Sequence, residues 1–158
     1  MIASAFDFFN LYIVAGNPNA SADLLAELAA HPNARIRRRV AENPNTPPQV
    51  LRLLSKDVDS DVLIAVAGNS ASPFSVAEEL AVDPEAKVRL GIAQELNTPV
   101  RILQMLQNDE DPYVRHEAGR TLEILESRQN LRHMDKFSMR KSRTKREAKS
   151  SCRTRIKA

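Results

Sequence analysis

Hydrophobic residues recur along this chain at a fixed interval of 26 residues. Each of four successive copies begins with a β-branched residue and alanine, has leucine 14 positions later, and has a second β-branched residue 22 positions after the first. The openers are Val14, Val40, Val66 and Ile92, the leucines are Leu28, Leu54, Leu80 and Leu106, and the later residues are Ile36, Val62, Val88 and Val114. A period of this length predicts a solenoid, in which each copy buries its apolar face against its neighbours.

Each copy is predicted to form two short helices. In the second copy, Val50, Leu51 and Leu54 fall on one face of a first helix, and Val62 and Val66, four residues apart, fall on one face of a second. Polar residues between them break the helix, and aspartate recurs there at a fixed place in three copies (Asp57, Asp83 and Asp109). We expect the leucines and valines to face one shared interior.

The helix boundaries are marked by proline. Thr46-Pro47 predicts the start of a first helix, with the threonine hydroxyl accepting from a free N–H and the proline at the first helical position. Asn43-Pro44 predicts the end of the preceding helix, because a residue before proline avoids helical geometry. The fourth copy has Glu95-Leu96 in place of Asn-Pro, so we expect a longer helix there.

Residues 40–47 (VAENPNTP), followed by Leu51, Leu54 and Asp57, resemble the leucine-rich repeat variant family of bacteria. The Val88-Arg89 and Val114-Arg115 pairs resemble the same pattern. The resemblance covers about residues 14–118 and implies a right-handed superhelix of alternating helices, akin to HEAT repeats. It says little about function. The best-known member carries a cysteine-ligated iron–sulphur module, and nothing in this chain could ligate one, so no cofactor is expected.

The predicted fold is therefore an all-α, right-handed α-solenoid of four two-helix repeats with capping helices and a disordered tail. Residues 1–13 form an N-terminal capping half-repeat in this interpretation, in which Phe8, Phe9, Leu11 and Tyr12 cover the first copy. Residues 14–118 are the repeats, residues 119–134 a C-terminal capping helix, and residues 135–158 the tail. The apolar N-terminus lacks a positive start and does not indicate a secretion signal.

Charge is distributed unevenly along the chain. Residues 1–126 contain 11 Lys and Arg against 18 Asp and Glu, whereas residues 127–158 contain 12 against 2. The basic residues of the tail with the strongest case for binding nucleic acid or another anionic partner are Arg140, Lys141, Arg143, Lys145, Arg146, Lys149, Arg153 and Arg155. Such an arm binds phosphate backbones without reading their sequence, although an acidic protein, a membrane surface or the acidic repeats are alternatives.

A row of arginines is the candidate partner-binding face. One position of the repeat holds Arg37, Arg89 and Arg115, whereas the second copy has Leu63 there. Arg38 is next to this row. The planar arginine fork suits carboxylates and phosphates of a partner. The alternative is that these arginines pair with neighbouring Asp and Glu, or are simply solvated.

Catalytic and metal chemistry have little support in the sequence. His31, in a turn position that holds aspartate in the other copies, is interpreted as a turn residue, and His116 as solvated or partner-facing. The acidic run of Asp57, Asp59 and Asp61 lacks the glycine and distal glutamate of a calcium loop, so helix capping is preferred.

These observations favour a non-enzymatic scaffold that binds another macromolecule, most simply a protein, along its helical face. A nucleic-acid-associated protein that acts through its tail is the alternative, and an enzyme using the concave groove is the least favoured. The single cysteine, Cys152, excludes an intramolecular disulfide framework and fits a reducing compartment, so we expect the cytoplasm. No stretch approaches the length that spans a bilayer.

Overall fold

The computed structural model describes the backbone of residues 2–129 and the side chains of residues 8–129. Within these residues the regular structure is entirely helical, which confirms the all-α prediction for this part of the chain. Eight helices precede a longer ninth: α1 (Ile2–Ala15), α2 (Ala22–Leu28), α3 (Ala34–Glu42), α4 (Pro48–Leu54), α5 (Ser60–Gly68), α6 (Phe74–Leu80), α7 (Ala86–Gln94) and α8 (Val100–Leu106).

The ninth helix, α9, begins at residue 112 and continues to residue 129. The chain divides into two units, Met1–Leu122 and Glu123–Ala158. The packing described below is that of the first unit. The predicted tail lies outside the described residues.

Helix lengths repeat with the sequence. The even-numbered helices α2, α4, α6 and α8 each have seven residues, and α3, α5 and α7 each have nine. The odd-numbered helices contact one another in chain order, α1 with α3, α3 with α5, and α5 with α7. Each copy therefore contains two helices. They are short in the first three copies, as the pattern predicted, whereas the second helix of the fourth copy is the longer α9. Because α1 packs on α3 as α3 packs on α5, α1 takes the place of a second helix.

The core is built from the residues that define the period. The openers Val40, Val66 and Ile92 are fully buried, and so are the later β-branched residues Ile36, Val62, Val88 and Val114. The four recurring leucines, from Leu28 to Leu106, are at most 5% exposed. Burial of one such side chain contributes roughly 1.5–3 kcal/mol, so the same few contacts, repeated, supply most of the stabilisation.

The N-terminal helix covers the core with only part of its apolar surface. Phe8, Leu11 and Val14 pack against the core. Phe9 is 60% exposed and Tyr12 is also exposed, so the prediction that these two residues cover the first copy is wrong. Part of each side chain is therefore accessible to other molecules.

The threonines before the first helices act on the preceding helix, contrary to the predicted capping role. The Thr46 hydroxyl donates to the carbonyl of Val40 at 2.6 Å, and Thr98 donates to Ile92 at 2.8 Å. Both side chains are buried. Pro47 is the N-cap of α4, whereas the sequence predicted it at the first helical position, which is one residue later. No side chain caps this helix. Threonine thus adds a second donor to a carbonyl in the last turn of the preceding helix, which also accepts a backbone N–H from the C-cap residue.

The fourth copy turns in the same way as the others. α7 ends at Gln94, and Glu95 already has extended backbone geometry with φ −75° and ψ 122°. These angles nearly match those of Asn43, which ends α3 as predicted, with φ −74° and ψ 125°. The expected longer helix at Glu95 is therefore wrong, since the chain leaves helical geometry here although Leu96 replaces the proline.

Two buried asparagines bridge successive copies through the main chain. Asn43 Nδ2 donates to the carbonyls of Ala15 at 2.7 Å and Asn17 at 2.8 Å. Asn69 Nδ2 donates to Ala41 at 2.6 Å and Asn43 at 2.9 Å. Each asparagine oxygen also accepts the backbone N–H two residues later. These bridges were not predicted from the sequence, where the asparagine was interpreted only as the residue before a turn proline.

We call the contact between two successive copies a seam. The first seam joins the copies that open at Val14 and Val40, the middle seam those at Val40 and Val66, and the last seam those at Val66 and Ile92. Asn43 bridges the first seam and Asn69 the middle seam. At the last seam the corresponding residue is Glu95, and the described residues contain no such bridge.

Candidate functional site

Arg37 closes the first seam with four hydrogen bonds. Its Nε and Nη2 contact the Asp57 carboxylate at 2.6 and 2.8 Å. Its Nη1 donates to the carbonyls of His31 at 2.9 Å and Pro32 at 3.0 Å. The Arg37 side chain is only 14% exposed. Most of this guanidinium is therefore engaged within the protein.

Arg89 makes the same contacts at the last seam. It binds Asp109 through Nε and Nη2 at 2.8 and 3.0 Å, and Nη1 donates to the carbonyls of Asp83 at 2.8 Å and Pro84 at 3.4 Å. Nη2 also contacts Glu110 at 3.2 Å. In each case the carboxylate comes 20 residues after the arginine, in the next copy. We call these two arrangements arginine clamps.

The clamps alter the titration of their carboxylates. The hydrogen bond from Arg37 lowers the pKa of Asp57 below its ordinary value of 3.8, against the opposing effect of burial. The hydrogen bond from Arg89 lowers the pKa of Asp109 in the same way. A charged form favoured by a bidentate partner is the expected response. Both carboxylates therefore stay ionised well into the acidic range.

Arg115 has the carbonyl half of a clamp. Its Nη1 donates to the carbonyls of Asp109 at 2.7 Å and Glu110 at 2.9 Å, at the same offsets that Arg37 and Arg89 use. The residue is exposed, and no carboxylate within the described residues forms an ion pair with it. Of the three arginines in the predicted row, Arg115 presents the most guanidinium to solvent.

Arg38 lies on a different side of α3 from Arg37. Its side chain is 51% exposed and contacts Glu42 at 2.8 Å within the helix and Asp61 of α5 at 3.7 Å. Adjacent residues on an α-helix point about 100° apart, which separates the two arginines that the sequence placed in one face. The predicted site residues therefore do not form one surface: Arg37 and Arg89 clamp seams, whereas Arg38 faces outward.

Arg38 is the centre of a groove across the odd-numbered helices. One depression of about 640 Å³ lies between α1, α3 and the start of α5, with Phe8, Phe9 and Tyr12 on one wall and Arg35, Arg38 and Arg39 on the other. A second, of about 230 Å³, continues towards Glu95 and shares Arg38, Glu42 and Asp61 with the first. The aromatic contribution from α1 was not predicted, because these rings had been interpreted as a cover for the core.

The groove is close to charge balance. Arg39 contacts Glu42 at 3.0 Å, and its guanidinium lies 5.4 Å from the centre of the Tyr12 ring. Asp61 contacts Lys87 of α7 at 3.5 Å in addition to Arg38. Arginine stacked on an aromatic ring beside carboxylates offers both flat apolar area and directed hydrogen bonds. This combination suits a polypeptide surface better than a uniform polyanion.

The predicted turn and capping roles of the acidic and histidine residues are confirmed. Asp59 accepts from the Asp61 N–H at 3.0 Å and caps α5. His31 Nδ1 accepts from the Asn33 N–H at 3.0 Å, and Asp57 accepts the equivalent bond at 2.9 Å. Within the described residues, no group of three or more His, Cys, Asp or Glu side chains is arranged to hold a metal ion.

The remaining predicted residues are accounted for as follows. His116 lies on α9 and is exposed. The basic tail residues from Arg140 to Arg155, together with Cys152, lie outside the described residues. Across residues 2–129, no helix combines the length and apolar character needed to cross a bilayer.

No protein-family model matches this chain, and no curated protein or solved structure is significantly similar to it. The resemblance to the leucine-rich repeat variant family thus depends on the residues quoted above.

Proposed function

We propose that this chain is a right-handed α-solenoid of four 26-residue repeats that acts as a non-catalytic scaffold for a protein partner. The recurrence of the same contact at a fixed offset supports the architecture. Arg37 to Asp57 and Arg89 to Asp109 are one contact made twice, as are the bridges of Asn43 and Asn69. Right-handedness and membership of the leucine-rich repeat variant family follow from the sequence resemblance alone.

The partner binds across the groove centred on Arg38. The observation that carries this proposal is the juxtaposition of exposed aromatic rings on α1 with arginines on α3 in one depression of about 640 Å³. Aromatic residues and arginine are enriched where protein interfaces have their strongest contacts. In this interpretation Arg38 contacts the partner directly, and Arg37 and Arg89 keep the copies in register.

Affinity capture with charge-reversed variants tests this proposal. The full chain, its Arg38→Glu variant and a matched control, Arg52→Glu, serve as baits in a lysate of the native host. Arg52 is an exposed arginine on α4, away from the groove, so its reversal changes net charge equally. We expect Arg38→Glu to lose the captured protein and Arg52→Glu to retain it, with equal helicity by circular dichroism. Equal capture by all three baits would reject the groove.

A second candidate is a nucleic-acid-associated protein that acts through its C-terminal tail. The excess of 12 basic over 2 acidic residues in positions 127–158 favours it. A chain truncated after Asn130 should then lose binding to a mixed-sequence DNA or RNA duplex, and binding by the full chain should weaken steeply with salt. A flat titration at about 50 mM salt, where phosphate contacts are strong, would reject this candidate. Either function fits a protein of the cytoplasm.

A further inference from the structure

The two arginine clamps define what surrounds a guanidinium in this fold. In both, one nitrogen donates to the carbonyls five and six residues earlier, and the other two contact a carboxylate 20 residues later. Arg115 uses the same pair of carbonyl positions. Three arginines therefore show that the loops before α3, α7 and α9 each have two carbonyls directed at one place.

At the middle seam, the same offsets lead to a position that holds no arginine. The residue at the clamp position is Leu63, which is only 9% exposed. The corresponding carbonyls belong to Asp57 and Val58, and the corresponding carboxylate belongs to Asp83. Within the described residues, no hydrogen bond reaches these two carbonyls, and no ion pair reaches Asp83. A leucine side chain is shorter than arginine by the whole guanidinium group, so the polar part of the position lacks its cation.

The groups around this position are held in place by the neighbouring clamps. Arg89 donates to the carbonyl of Asp83 at 2.8 Å, and Arg37 contacts the carboxylate of Asp57. The Asp83 carboxylate accepts the N–H of Glu85 at 2.8 Å. Groups already fixed in a binding geometry lose little conformational freedom when a ligand arrives. The carbonyls and carboxylate therefore need no rearrangement of their own loops.

Exposed aliphatic side chains adjoin these groups in the sequence. Val58 is 98% exposed and Val82 is 69% exposed. The residues at these places in the other copies are Pro32, Pro84 and Glu110 for Val58, and Ala30, Lys56 and Asn108 for Val82. An ion pair between the exposed side chains of Lys56 and Glu79 also joins the two copies of the middle seam. The half-buried Asp83 carboxylate at the middle seam has no cationic partner among the described residues. Exposed aliphatic side chains are its neighbours.

We propose that the Asp83 carboxylate and the carbonyls of Asp57 and Val58 bind the guanidinium of an arginine supplied by a partner protein. We call this place the middle-seam site. The arginine completes the clamp that Leu63 omits, and an aliphatic residue beside it contacts Val58 and Val82. Lysine fits less well, because a single ammonium lacks the fork that reaches a carboxylate and two carbonyls together. This inference rests on the proposed protein-binding function and adds a second contact, away from the groove.

Nuclear magnetic resonance with a defined probe tests the middle-seam site. The ¹⁵N-labelled full chain is titrated with the blocked tripeptide acetyl-Val-Arg-Val-amide, and with acetyl-Val-Lys-Val-amide as the matched control. We expect saturable shifts of the amides of residues 57–59 and 83–85 with the arginine peptide, and at least fivefold weaker binding of the lysine peptide. Equal binding of both peptides, or no saturable shift at these amides, would overturn the proposal.

Variants of Leu63 place an arginine within the chain itself. This second test therefore does not depend on how tightly a free peptide binds. Leu63→Arg should raise the melting temperature above that of Leu63→Lys and abolish the arginine-peptide shifts, because its own guanidinium occupies the site. Adding Asp83→Asn, which keeps the oxygen that accepts from Glu85, should remove the advantage of arginine over lysine. Equal melting temperatures for Leu63→Arg and Leu63→Lys would contradict the site. Capture through Arg38 is measured in a separate experiment. Failure of the middle-seam site can therefore be distinguished from failure of the groove.

Discussion

The first and middle seams share one backbone design but are closed by different side chains. The first seam has both the clamp of Arg37 with Asp57 and the bridge of Asn43. The middle seam keeps the bridge of Asn69 but has Leu63 where the clamp arginine would be. At the middle seam Ile64 also packs where a Cβ on residue 91 would lie, which is possible because residue 91 is glycine.

This difference separates two roles of the recurring aspartate. At the middle seam Asp83 still accepts the backbone N–H two residues later at 2.8 Å, as Asp57 and Asp109 do. His31 makes the same bond through its ring nitrogen. The turn therefore requires an acceptor in every copy, whereas the ion pair is an addition at two seams. An acidic residue that recurs in a repeat need not be conserved in function from one copy to the next.

The largest effect should follow from removing the bridge of the middle seam. Asn69→Ala leaves the carbonyls of Ala41 and Asn43 without the amide that now donates to them. We expect a loss of about 3 kcal/mol in the free energy of unfolding, since these groups are buried. Because no clamp supports this seam, urea unfolding should also become less cooperative.

The matched control is Asn43→Ala, whose seam retains the clamp. It should lose similar stability but keep a single transition. Two variants with the same cooperativity, measured by circular dichroism and by hydrogen exchange, would show that the seams do not differ as described.

A smaller effect should follow from making the first seam resemble the middle one. Arg37→Leu removes the clamp and leaves the Asp57 carboxylate, which is 6% exposed in the natural chain, with only its backbone donors. We expect a loss of about 2 kcal/mol, typical of a charge-assisted bidentate pair. Urea denaturation measures it. An unchanged midpoint would mean that leucine serves equally well at both seams.

Acid should weaken the clamped seams selectively. The pKa values of Asp57 and Asp109 are lowered by their arginines from an ordinary value of 3.8. A lowered pKa contributes stability that is complete above 3.8 and is lost as the pH falls through the lower, folded-state value. The unfolding free energy of the natural chain should therefore fall more steeply below pH 3.8 than that of the Asp57→Asn, Asp109→Asn variant. Parallel curves for the two chains would contradict this.

The smallest expected effect is a gain at the last seam. Glu95→Asn restores the residue that bridges the other two seams and should donate to the carbonyls of Ala67 and Asn69. We expect about 1 kcal/mol of stabilisation, seen as a higher melting temperature. Glu95→Gln removes the same charge with a longer side chain and should not reproduce the gain. If both variants behave alike, loss of charge rather than a bridge is responsible.

Much of the fold could be predicted because its signals are local. The spacing of Val62 and Val66, or of Leu51 and Leu54, reports a helix face without knowledge of its neighbours, and these residues are buried. The direction in which Thr46 would bond could not be predicted, since its acceptor, Val40, belongs to the preceding helix.

The candidate site was predicted less well, because it depends on how copies stack. Arg37 and Arg38 are neighbours in sequence, and only the position of the next copy determines that Arg37 meets Asp57 while Arg38 faces the groove. The interval of 20 residues between each clamp arginine and its aspartate was present in the sequence. It becomes a contact only when successive copies are placed side by side.

A double-mutant cycle tests most directly whether the recurring arginines are divided between holding the copies together and facing outward. The cycle combines Arg37→Leu with Asp57→Asn, and a second cycle combines Arg38→Leu with Glu42→Gln. We expect a coupling of about 2 kcal/mol for the first pair and about 0.3–0.5 kcal/mol for the exposed second pair. A first coupling no larger than the second would contradict the structural role of Arg37, and with it the division of the arginine row.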